Sequence, residues 1–264
     1  MVKVSDKGYD ILGNIAIVKF DRKQKLGEKK KFALALMDER KMVTTVLEKV
    51  GKFSGRLRTL STKWIAGEKS KEVIYRENGC FFRFNTDTCY FSPRLANERL
   101  EVAKMVKPGE EVLVLFGGVA PFAIVIAKES KAKRVVSVEL GKDCSKYALE
   151  NVKRNKLNNV EIIQGDVKRV LPLMHKKKER YDRIVMARPN LKDSFLDVSF
   201  PLIRKNGMIH YYGFCKEEEL DGMLEMIKWE AKNAKIKIKI IGTRKAGDIG
   251  VRKFRYRVDV KVVN

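Results

Sequence analysis

The stretch Gly109-Glu-Glu-Val-Leu-Val-Leu-Phe-Gly-Gly-Val-Ala-Pro-Phe122 decides the fold expected for this chain. Residues 112–116 are apolar throughout rather than alternating, which predicts a strand buried on both faces of a parallel sheet. Gly117 and Gly118 then allow a sharp turn and a close approach of backbone to ligand. Pro121 suits the first turn of a following helix. This order is typical of a nucleotide-binding α/β domain, although paired glycines also occur in purely structural turns.

Two further apolar segments end in acids. Residues 133–139 end in Glu139, roughly twenty residues past the glycines, where such folds place a carboxylate that binds a ribose diol. Residues 160–166 end in Asp166, and a fourth segment, 181–189, ends in a proline-bearing loop. Either acid alone could be an ordinary surface group. The ordered set favours a cofactor site where the carboxyl ends of the strands meet.

This order of segments resembles the class I methyltransferase fold, a Rossmann-like doubly wound α/β sheet that binds S-adenosylmethionine. The resemblance implies that the glycine turn holds the methionine part of the cofactor. It also implies that Glu139 binds the ribose and Asp166 the adenine amino group.

The charge of the chain indicates a polyanionic partner. Its 264 residues carry 57 Lys and Arg against 33 Asp and Glu, a formal net charge of +24. A thermophile-like surface would raise both signs together, whereas this excess is one-sided. Nucleic acid is therefore the favoured partner. The hydrophobic fraction of 44% is that of a globular protein and argues against a disordered chain.

Cysteine and histidine usage argues against a metal site. Four cysteines lie far apart with no Cys-x-x-Cys pair, and only two histidines are present. We expect reduced thiols in a cytoplasmic protein, because the cysteine spacing is irregular and no secretory leader is evident. The apolar runs are too short to cross a bilayer. We expect a monomer without a membrane partner.

The N-terminal part predicts a small α/β module. Residues 9–20 read as one edge strand, bulged at a glycine. A basic run leads into a helix with an apolar stripe over residues 32–37. Residues 43–50 fit either a strand or a helix, and residues 52–63 are rich in basic and hydroxyl groups suited to phosphate contacts. Asn78-Gly79 predicts a hairpin turn. We expect residues 1–88 to form this module and residues 89–264 the cofactor-binding domain.

The junction between the two parts predicts a helix that begins near Pro93, with Ser92 as its cap. Arg94 and Glu98 are four residues apart and would share one helix face. An ordinary ion pair would explain this spacing, but the position just before the cofactor strand favours a functional role. Further along, residues 176–178 form a basic run expected in a loop. Two alternating segments near the C-terminus read as antiparallel strands that close the sheet.

Six segments resemble the archaeal and eukaryotic tRNA (guanine-N1)-methyltransferase family, which modifies the purine just 3′ of the anticodon. A close relative is the wybutosine-pathway aminocarboxypropyltransferase. The matching segments are Arg-Glu-Asn-Gly79, Tyr-Phe-Ser-Pro-Arg-Leu-Ala-Asn-Glu-Arg99, Phe-Gly-Gly-Val-Ala-Pro-Phe122, Asn-Lys-Leu157, Asp-Arg-Ile-Val-Met186 and Ile-His-Tyr-Tyr212. The Pro-Arg pair in the second segment favours the guanine methyltransferase branch. Methylation of another tRNA base stays open beside these two transfer reactions, and so does a third class, a tRNA-binding protein with a decayed catalytic site.

The resemblance implies roles for individual residues. Glu98 matches the general base that takes the guanine N1 proton, and Arg58 matches an arginine that stabilises negative charge on guanine O6. Arg94 would orient Glu98 or contact tRNA. The N-terminal module would hold the anticodon stem-loop, with the purine flipped into the pocket. The implied cofactor contacts are Phe116, Gly117, Gly118, Ala120, Glu139, Asp166, Val167 and Ala187, and the implied RNA contacts are Arg56, Arg94, Arg188 and Asn190.

Three positions depart from the family pattern. Val114 stands where the family commonly has Asp, and Ala120 stands where it has the glycine before the proline. Ala187 replaces an asparagine that would contact the guanine, and Arg188 or Asn190 could take over that contact.

Overall fold

The structure is a computed structural model that describes residues 8–55 and 59–263, the side chains of residues 52–54 excepted. The chain forms two compact units, Met1–Pro93 and Arg94–Asn264.

The first unit contains a four-stranded sheet and a two-stranded hairpin. In the four-stranded sheet the order is β1-β2-β3-β4, with only the β2–β3 pair parallel. One helix, α1, joins the two parallel strands and packs on the sheet through Phe32 and Leu36, against Val18, Val46 and Ile65. The elements are β1 (Tyr9–Leu12), β2 (Ile15–Val18), α1 (Leu26–Glu39), β3 (Thr45–Ser54), β4 (Thr59–Gly67), β5 (Glu72–Glu77) and β6 (Cys80–Asn85).

The expected single strand over residues 9–20 is wrong, because the segment is a hairpin of β1 and β2. Leu12 pairs with Ile15, so Gly13-Asn14 is a two-residue turn, and Gly13 has a φ of 54°. Glycine at the first central position is the signature of a type II′ turn, whose twist matches that of paired strands. Asn78-Gly79 forms the β5–β6 turn as predicted.

The second unit is a seven-stranded sheet in the order β12-β13-β11-β10-β7-β8-β9. Strands β11, β10, β7, β8 and β9 are parallel, while β13 is antiparallel to both of its neighbours. The elements are α2 (Ala96–Met105), β7 (Glu111–Leu115), α3 (Pro121–Glu129), β8 (Arg134–Glu139), α4 (Lys142–Arg154), β9 (Val160–Gln164), α5 (Val167–Lys176), β10 (Tyr181–Met186), α6 (Leu196–Ser199), β11 (Ile203–Lys216), α7 (Leu220–Asn233), β12 (Ile238–Gly250) and β13 (Lys253–Val262).

The strand order places a topological switch point at the centre of the sheet. The chain runs outward from β7 through β8 to β9 and then returns to β10 on the other side of β7. Open α/β sheets bind ligands at the carboxyl ends of the strands, at such a switch point. Four of the predicted cofactor loops follow β7, β8, β9 and β10 in this region.

Two local expectations for the second unit need correction. Residues 167–176 form helix α5, so only the end of the basic run at residues 176–178 lies in a loop. The segment from Pro93 begins as a 3-10 turn, Pro93–Leu95, and α2 starts at Ala96 without a side-chain cap. Arg94 therefore lies outside the α-helix whose face it was expected to share with Glu98. Within the described part of the chain, no helix is long and apolar enough to cross a membrane.

Candidate active site

The glycine loop between β7 and α3 is a tight left-handed segment. Phe116, Gly118 and Ala120 have φ values of 60°, 56° and 65°. A left-handed conformation costs an L-residue about 1–2 kcal/mol, so alanine is less well suited than glycine to the position of Ala120. A Cβ built on Gly117 would lie 2.1 Å from Ser137 Oγ, so the backbone presses directly on β8.

Glu139 at the end of β8 holds this loop in place. Its Oε2 accepts a hydrogen bond from the Gly118 amide at 2.7 Å, and its Oε1 accepts one from the Gly141 amide at 2.6 Å. Burial raises the pKa of the Glu139 carboxyl, although the backbone amides act in the opposite direction. A carboxylate has about four acceptor sites, so Glu139 can accept a hydroxyl group in addition to the backbone amides.

Asp166 is the N-cap of α5. Its Oδ1 accepts from the Lys168 amide at 3.0 Å, which fixes the carboxylate where the next strand ends. Val167 behind it is buried at the start of the helix. The structure thus places both predicted acids and the glycine loop at the ends of three adjacent parallel strands.

The loop after β10 is held by Arg188, which was predicted to contact RNA. Its side chain is only 6% exposed, and its Nη2 donates to the carbonyls of Leu191 and Asp193 at 2.5 and 2.6 Å. Its guanidinium lies 5.3 Å from the centre of the Tyr211 ring, and burial lowers its pKa. An RNA contact by this side chain would require the loop to open. Asn190, at the tip of the same loop, is exposed.

Glu98 is a buried carboxylate with three polar neighbours. It is 4% exposed on the first turn of α2. Its Oε1 accepts from the Tyr212 hydroxyl at 2.9 Å and from Arg257 Nη1 at 2.5 Å. Its Oε2 lies 3.6 Å from Arg244 Nε, and Arg244 also pairs with Glu101. Side chains of β11 and β13 thus contact the carboxylate that Arg94 was expected to orient, and the role of Arg94 stays a prediction.

Two ring contacts connect Glu98 to the glycine loop. Phe122, in the first turn of α3, lies 5.7 Å from the ring of Tyr212, whose hydroxyl donates to Glu98. The fully buried Arg99 lies 5.9 Å from the Phe122 ring centre. Glu98 and the glycine loop are therefore separated by a single layer of side chains.

Two predicted residues, Arg56 and Arg58, lie outside the described residues, so their roles stay predictions. Arg94 is exposed in the 3-10 turn before α2. Ala187 follows β10 at the carboxyl edge of the sheet and is half-buried.

The sequence analysis missed a row of buried charged groups behind Glu98. Its members lie on β13, β11 and β10 and at the start of β7: Arg257, Asp259, His210, Arg183 and Glu110. The available signal was the stretch Arg255-Tyr-Arg-Val-Asp259, which puts charges on one face of a strand. That alternation predicts only a strand that closes the sheet, whereas the structure shows Arg257 to be 4% exposed.

The groups at the carboxyl edge of the sheet fit S-adenosylmethionine. Among residues 8–55 and 59–263, no group of three or more His, Cys, Asp or Glu side chains could hold a metal ion. At the cofactor edge, Gly118 lies in a left-handed turn, and its amide donates to the carboxylate of Glu139. These groups suit a ligand with one nucleoside diol and a polar tail.

Comparison with known proteins agrees with this geometry. Residues 73–240 match the TRM5/TYW2 methyltransferase domain, and residues 1–70 match the TYW2 N-terminal domain. The chain is 37% identical to tRNA (guanine(37)-N(1))-methyltransferase Trm5b of Pyrococcus abyssi, over 96% of this chain and 74% of that protein. It is 30% identical to tRNA (guanine(37)-N(1))/4-demethylwyosine(37)-methyltransferase Taw22 of Nanoarchaeum equitans, over 97% and 99% of the two chains.

A third relative acts differently. It is tRNA(Phe) (4-demethylwyosine(37)-C(7)) aminocarboxypropyltransferase of Methanocaldococcus jannaschii, 30% identical over 85% of each chain. Among solved structures, wild-type Pyrococcus abyssi Trm5b superposes with a TM-score of 0.85, at 36% identity over 97% of this chain and 75% of that one. TYW2 of M. jannaschii in complex with AdoMet gives a TM-score of 0.74, at 25% identity over 97% and 99%. From its seven-stranded sheet, its glycine loop and these matches, the chain belongs to the TRM5/TYW2 methyltransferase family.

Proposed function

We propose that this chain is an S-adenosylmethionine-dependent tRNA methyltransferase that modifies N1 of the guanine at position 37, just 3′ of the anticodon. The observation that carries the proposal is the buried Glu98 carboxylate, linked through Tyr212 and Phe122 to the cofactor loop. The relative that is 37% identical over nearly the whole chain has this activity in its name.

The chain's own residues would divide the work in three parts. Gly118, Glu139 and Asp166 would hold S-adenosylmethionine, which supplies an electrophilic methyl group. The N1 proton of guanine is only weakly acidic, so a base must accept it as the new bond forms. Glu98 would be this base. Arg58 would stabilise the charge that develops on guanine O6.

The geometry of Glu98 assigns the proton to one of its two oxygens. An arginine nitrogen donates and never accepts, so Oε1, which faces Arg257 Nη1 at 2.5 Å, is already an acceptor. A proton taken from the substrate must therefore bind Oε2. Arg257 and Tyr212 orient the carboxylate of Glu98, and this orientation would decide which oxygen faces the substrate.

The recognition of tRNA would fall to the module predicted over residues 1–88, with chemistry in residues 89–264. Its basic segment, with Arg56 and Arg58, and the exposed Arg94 and Asn190 would contact the anticodon stem-loop. Phosphate contacts of this kind position the RNA without reading its sequence. We place this activity in the cytoplasm, where the substrate tRNA is modified.

Nucleoside mass spectrometry tests the proposal. Unmodified tRNA transcripts with guanine or adenine at position 37 are incubated with the protein and S-adenosylmethionine. We expect 1-methylguanosine from the guanine transcript only. Glu98→Gln should lower the single-turnover rate by about 100-fold or more, the usual contribution of a general base, with cofactor binding retained.

Glu129→Gln is the control, since Glu129 is an exposed carboxylate at the last residue of α3. It should leave the rate close to that of wild type. Wild-type turnover by the Glu98→Gln variant would disprove the base assignment, and product at another nucleoside would disprove the target.

The second candidate is transfer of an aminocarboxypropyl group from the same cofactor. It is favoured by the match of residues 1–70 to the TYW2 N-terminal domain and by Ala187, where the guanine methyltransferases have asparagine. The mass of the added group separates the two reactions. Tight tRNA binding with neither product would instead indicate a binding protein.

A further inference from the structure

A continuous row of buried or nearly buried ionisable side chains runs from Glu98 into the sheet. Arg257 Nε lies 3.0 Å from Asp259 Oδ1, and the same oxygen lies 2.6 Å from His210 Nδ1. His210 Nε2 lies 2.6 Å from Arg183 Nη1. These groups belong to three neighbouring strands, β13, β11 and β10, so strand pairing fixes their spacing.

The far end of the row is anchored by Arg183 on β10. Arg183 Nε and Nη2 donate to the two oxygens of Glu110 at 2.8 and 3.1 Å, and Nη2 also donates to the Met105 carbonyl at 2.6 Å. Met105 is the last residue of α2, the helix that carries Glu98. The row therefore connects both ends of α2 to the sheet.

The chemistry of arginine determines the state of His210. Arg183 can only donate, so His210 Nε2 must accept, and the proton of the ring must be on Nδ1. Nδ1–H then donates to Asp259. Burial lowers the pKa of His210, although Asp259 acts against this change, and the ring is neutral in this arrangement. The row thus has one assignment of donors and acceptors rather than several.

Asp259 in turn determines where Arg257 lies. Burial acts to raise the pKa of Asp259, but the hydrogen bond from His210 and the charge of Arg257 outweigh it and lower that pKa. Arg257 Nε is not directed along the line to Oδ1 and makes an ion pair there rather than a hydrogen bond. Its Nη1 hydrogen bond goes to Glu98.

We propose that Arg257 is a positioning residue for Glu98, and that the His210–Asp259 pair holds Arg257 in the orientation that leaves Glu98 Oε2 as the only oxygen able to take a proton. This inference rests on the proposed role of Glu98 as the base. It extends that role to residues of β11 and β13 that contact neither cofactor nor substrate.

The row ends on Glu98, the proposed base, and this favours a role in orienting Glu98 over a role in stability alone. The outer end of the row is also asymmetric, since Oε1 receives two donors while Oε2 has Arg244 at 3.6 Å. Buried ion pairs add little net stability compared with apolar packing of the same volume. Orientation of the carboxylate accounts for the arrangement more directly.

A double-mutant cycle tests this inference. Single-turnover methyl transfer is measured for wild type, Arg257→Met, Glu98→Gln and the double variant, together with the dissociation constants for tRNA and S-adenosylmethionine. We expect Arg257→Met to lower the rate about 100-fold, the size of effect that a misplacement of about 1 Å produces. In the Glu98→Gln background the same change should lower the rate no further. Both dissociation constants should stay close to those of wild type.

Two additional variants complete the design. Asp259→Asn keeps the shape of the side chain but removes the charge beside Arg257. It should slow methyl transfer, and in the Glu98→Gln background it should slow transfer no further. Arg134→Met is the matched control, because Arg134 also lies on a strand of this sheet and pairs with two carboxylates, Glu161 and Glu179. It should leave the transfer rate unchanged.

The outcomes separate the inference from the proposed function. Equal slowing by Arg257→Met in both backgrounds would mean a general structural role and overturn the inference, while the base assignment would stand. No effect of Glu98→Gln alone would overturn the base assignment itself. If circular dichroism shows that Arg257→Met does not fold, the same cycle with Arg257→Lys, which keeps the charge without the planar fork, decides the question.

Discussion

A methyl group added at Gly117 should disturb the cofactor loop in a predictable way. A Cβ at this position would lie 2.1 Å from Ser137 Oγ, 3.5 Å from Ser137 Cβ and 3.6 Å from the Val138 carbonyl. The loop cannot retreat freely, because the Gly117 amide donates to that carbonyl at 3.0 Å. Ser137 is itself 1% exposed, so its hydroxyl has no solvent to turn into.

Such overpacking of a buried site costs about 1–3 kcal/mol. For a domain of 150–250 residues, each kcal/mol lowers Tm by about 2–4 °C, so Gly117→Ala should lower Tm by about 2–12 °C. Thermal unfolding followed by circular dichroism gives the shift. Calorimetric titration should show weaker binding of S-adenosylmethionine, because the displaced loop carries the Gly118 amide.

Ser137→Ala supplies the control. It removes the oxygen at 2.1 Å and leaves only the ordinary contact at 3.5 Å, so the double variant should recover most of the lost stability. The recovery should appear as a coupling energy of about 1 kcal/mol or more between the two sites. A Gly117→Ala protein as stable as wild type, or a double variant no better than Gly117→Ala, would refute the close packing of this loop on β8.

Four further results are expected. Because burial raises the pKa of Glu139 above the usual carboxyl value of 4.5, S-adenosylmethionine affinity should weaken as the pH falls through that raised pKa; Glu139→Gln should flatten the dependence in calorimetric titrations. The same shift means that Glu139 contributes stability at low pH that is lost as the pH rises through its folded pKa. Asp166→Ala removes the N-cap of α5 and should lower the free energy of unfolding, measured in urea, by about 1 kcal/mol. Asp166→Ser should restore most of this free energy, because serine is also a good N-cap residue. Arg183→Met leaves buried partners unpaired and should cost about 3–5 kcal/mol, against about 0–1 kcal/mol for the exposed pair removed by Arg204→Met. Finally, tRNA binding should weaken steeply with salt in filter-binding titrations, and a flat response would contradict an electrostatic contribution from the net charge of +24.

The cofactor edge could be predicted because its signals are local. The apolar run before Gly117 has the length and composition of a buried strand, and Pro121 begins α3 as expected. Glu139 and Asp166 each follow a short apolar segment, so parallel pairing alone brings them to the same edge. The physical reason is that parallel pairing brings the carboxyl ends of neighbouring strands to one edge of the sheet, whatever the connecting segments are.

The surroundings of Glu98 could not be predicted in this way. Its partner Arg257 is 159 residues away in the chain. Charged residues that alternate with Val and aromatic residues on β13 normally indicate a face in water, and only the placement of β13 beside β11 shows that this face is buried. The hairpin at Gly13 is different, because the Gly-Asn pair is a recognised turn signal that was interpreted as a bulge. The boundary expected after residue 88 stays a prediction.

The charged groups in the row behind Glu98 are not the groups that attract tRNA to the protein. Four carboxylates, Glu98, Glu101, Glu110 and Asp259, surround the guanidinium groups of Arg183, Arg257 and the half-exposed Arg244, while His210 is neutral. This set carries no net positive charge, so the attraction of a polyanion must come from other basic groups of the chain. Mobile ions screen exposed charges far more than buried ones. Added salt would therefore reduce how often tRNA is captured, while the proton transfer within a captured complex would proceed at nearly the same rate.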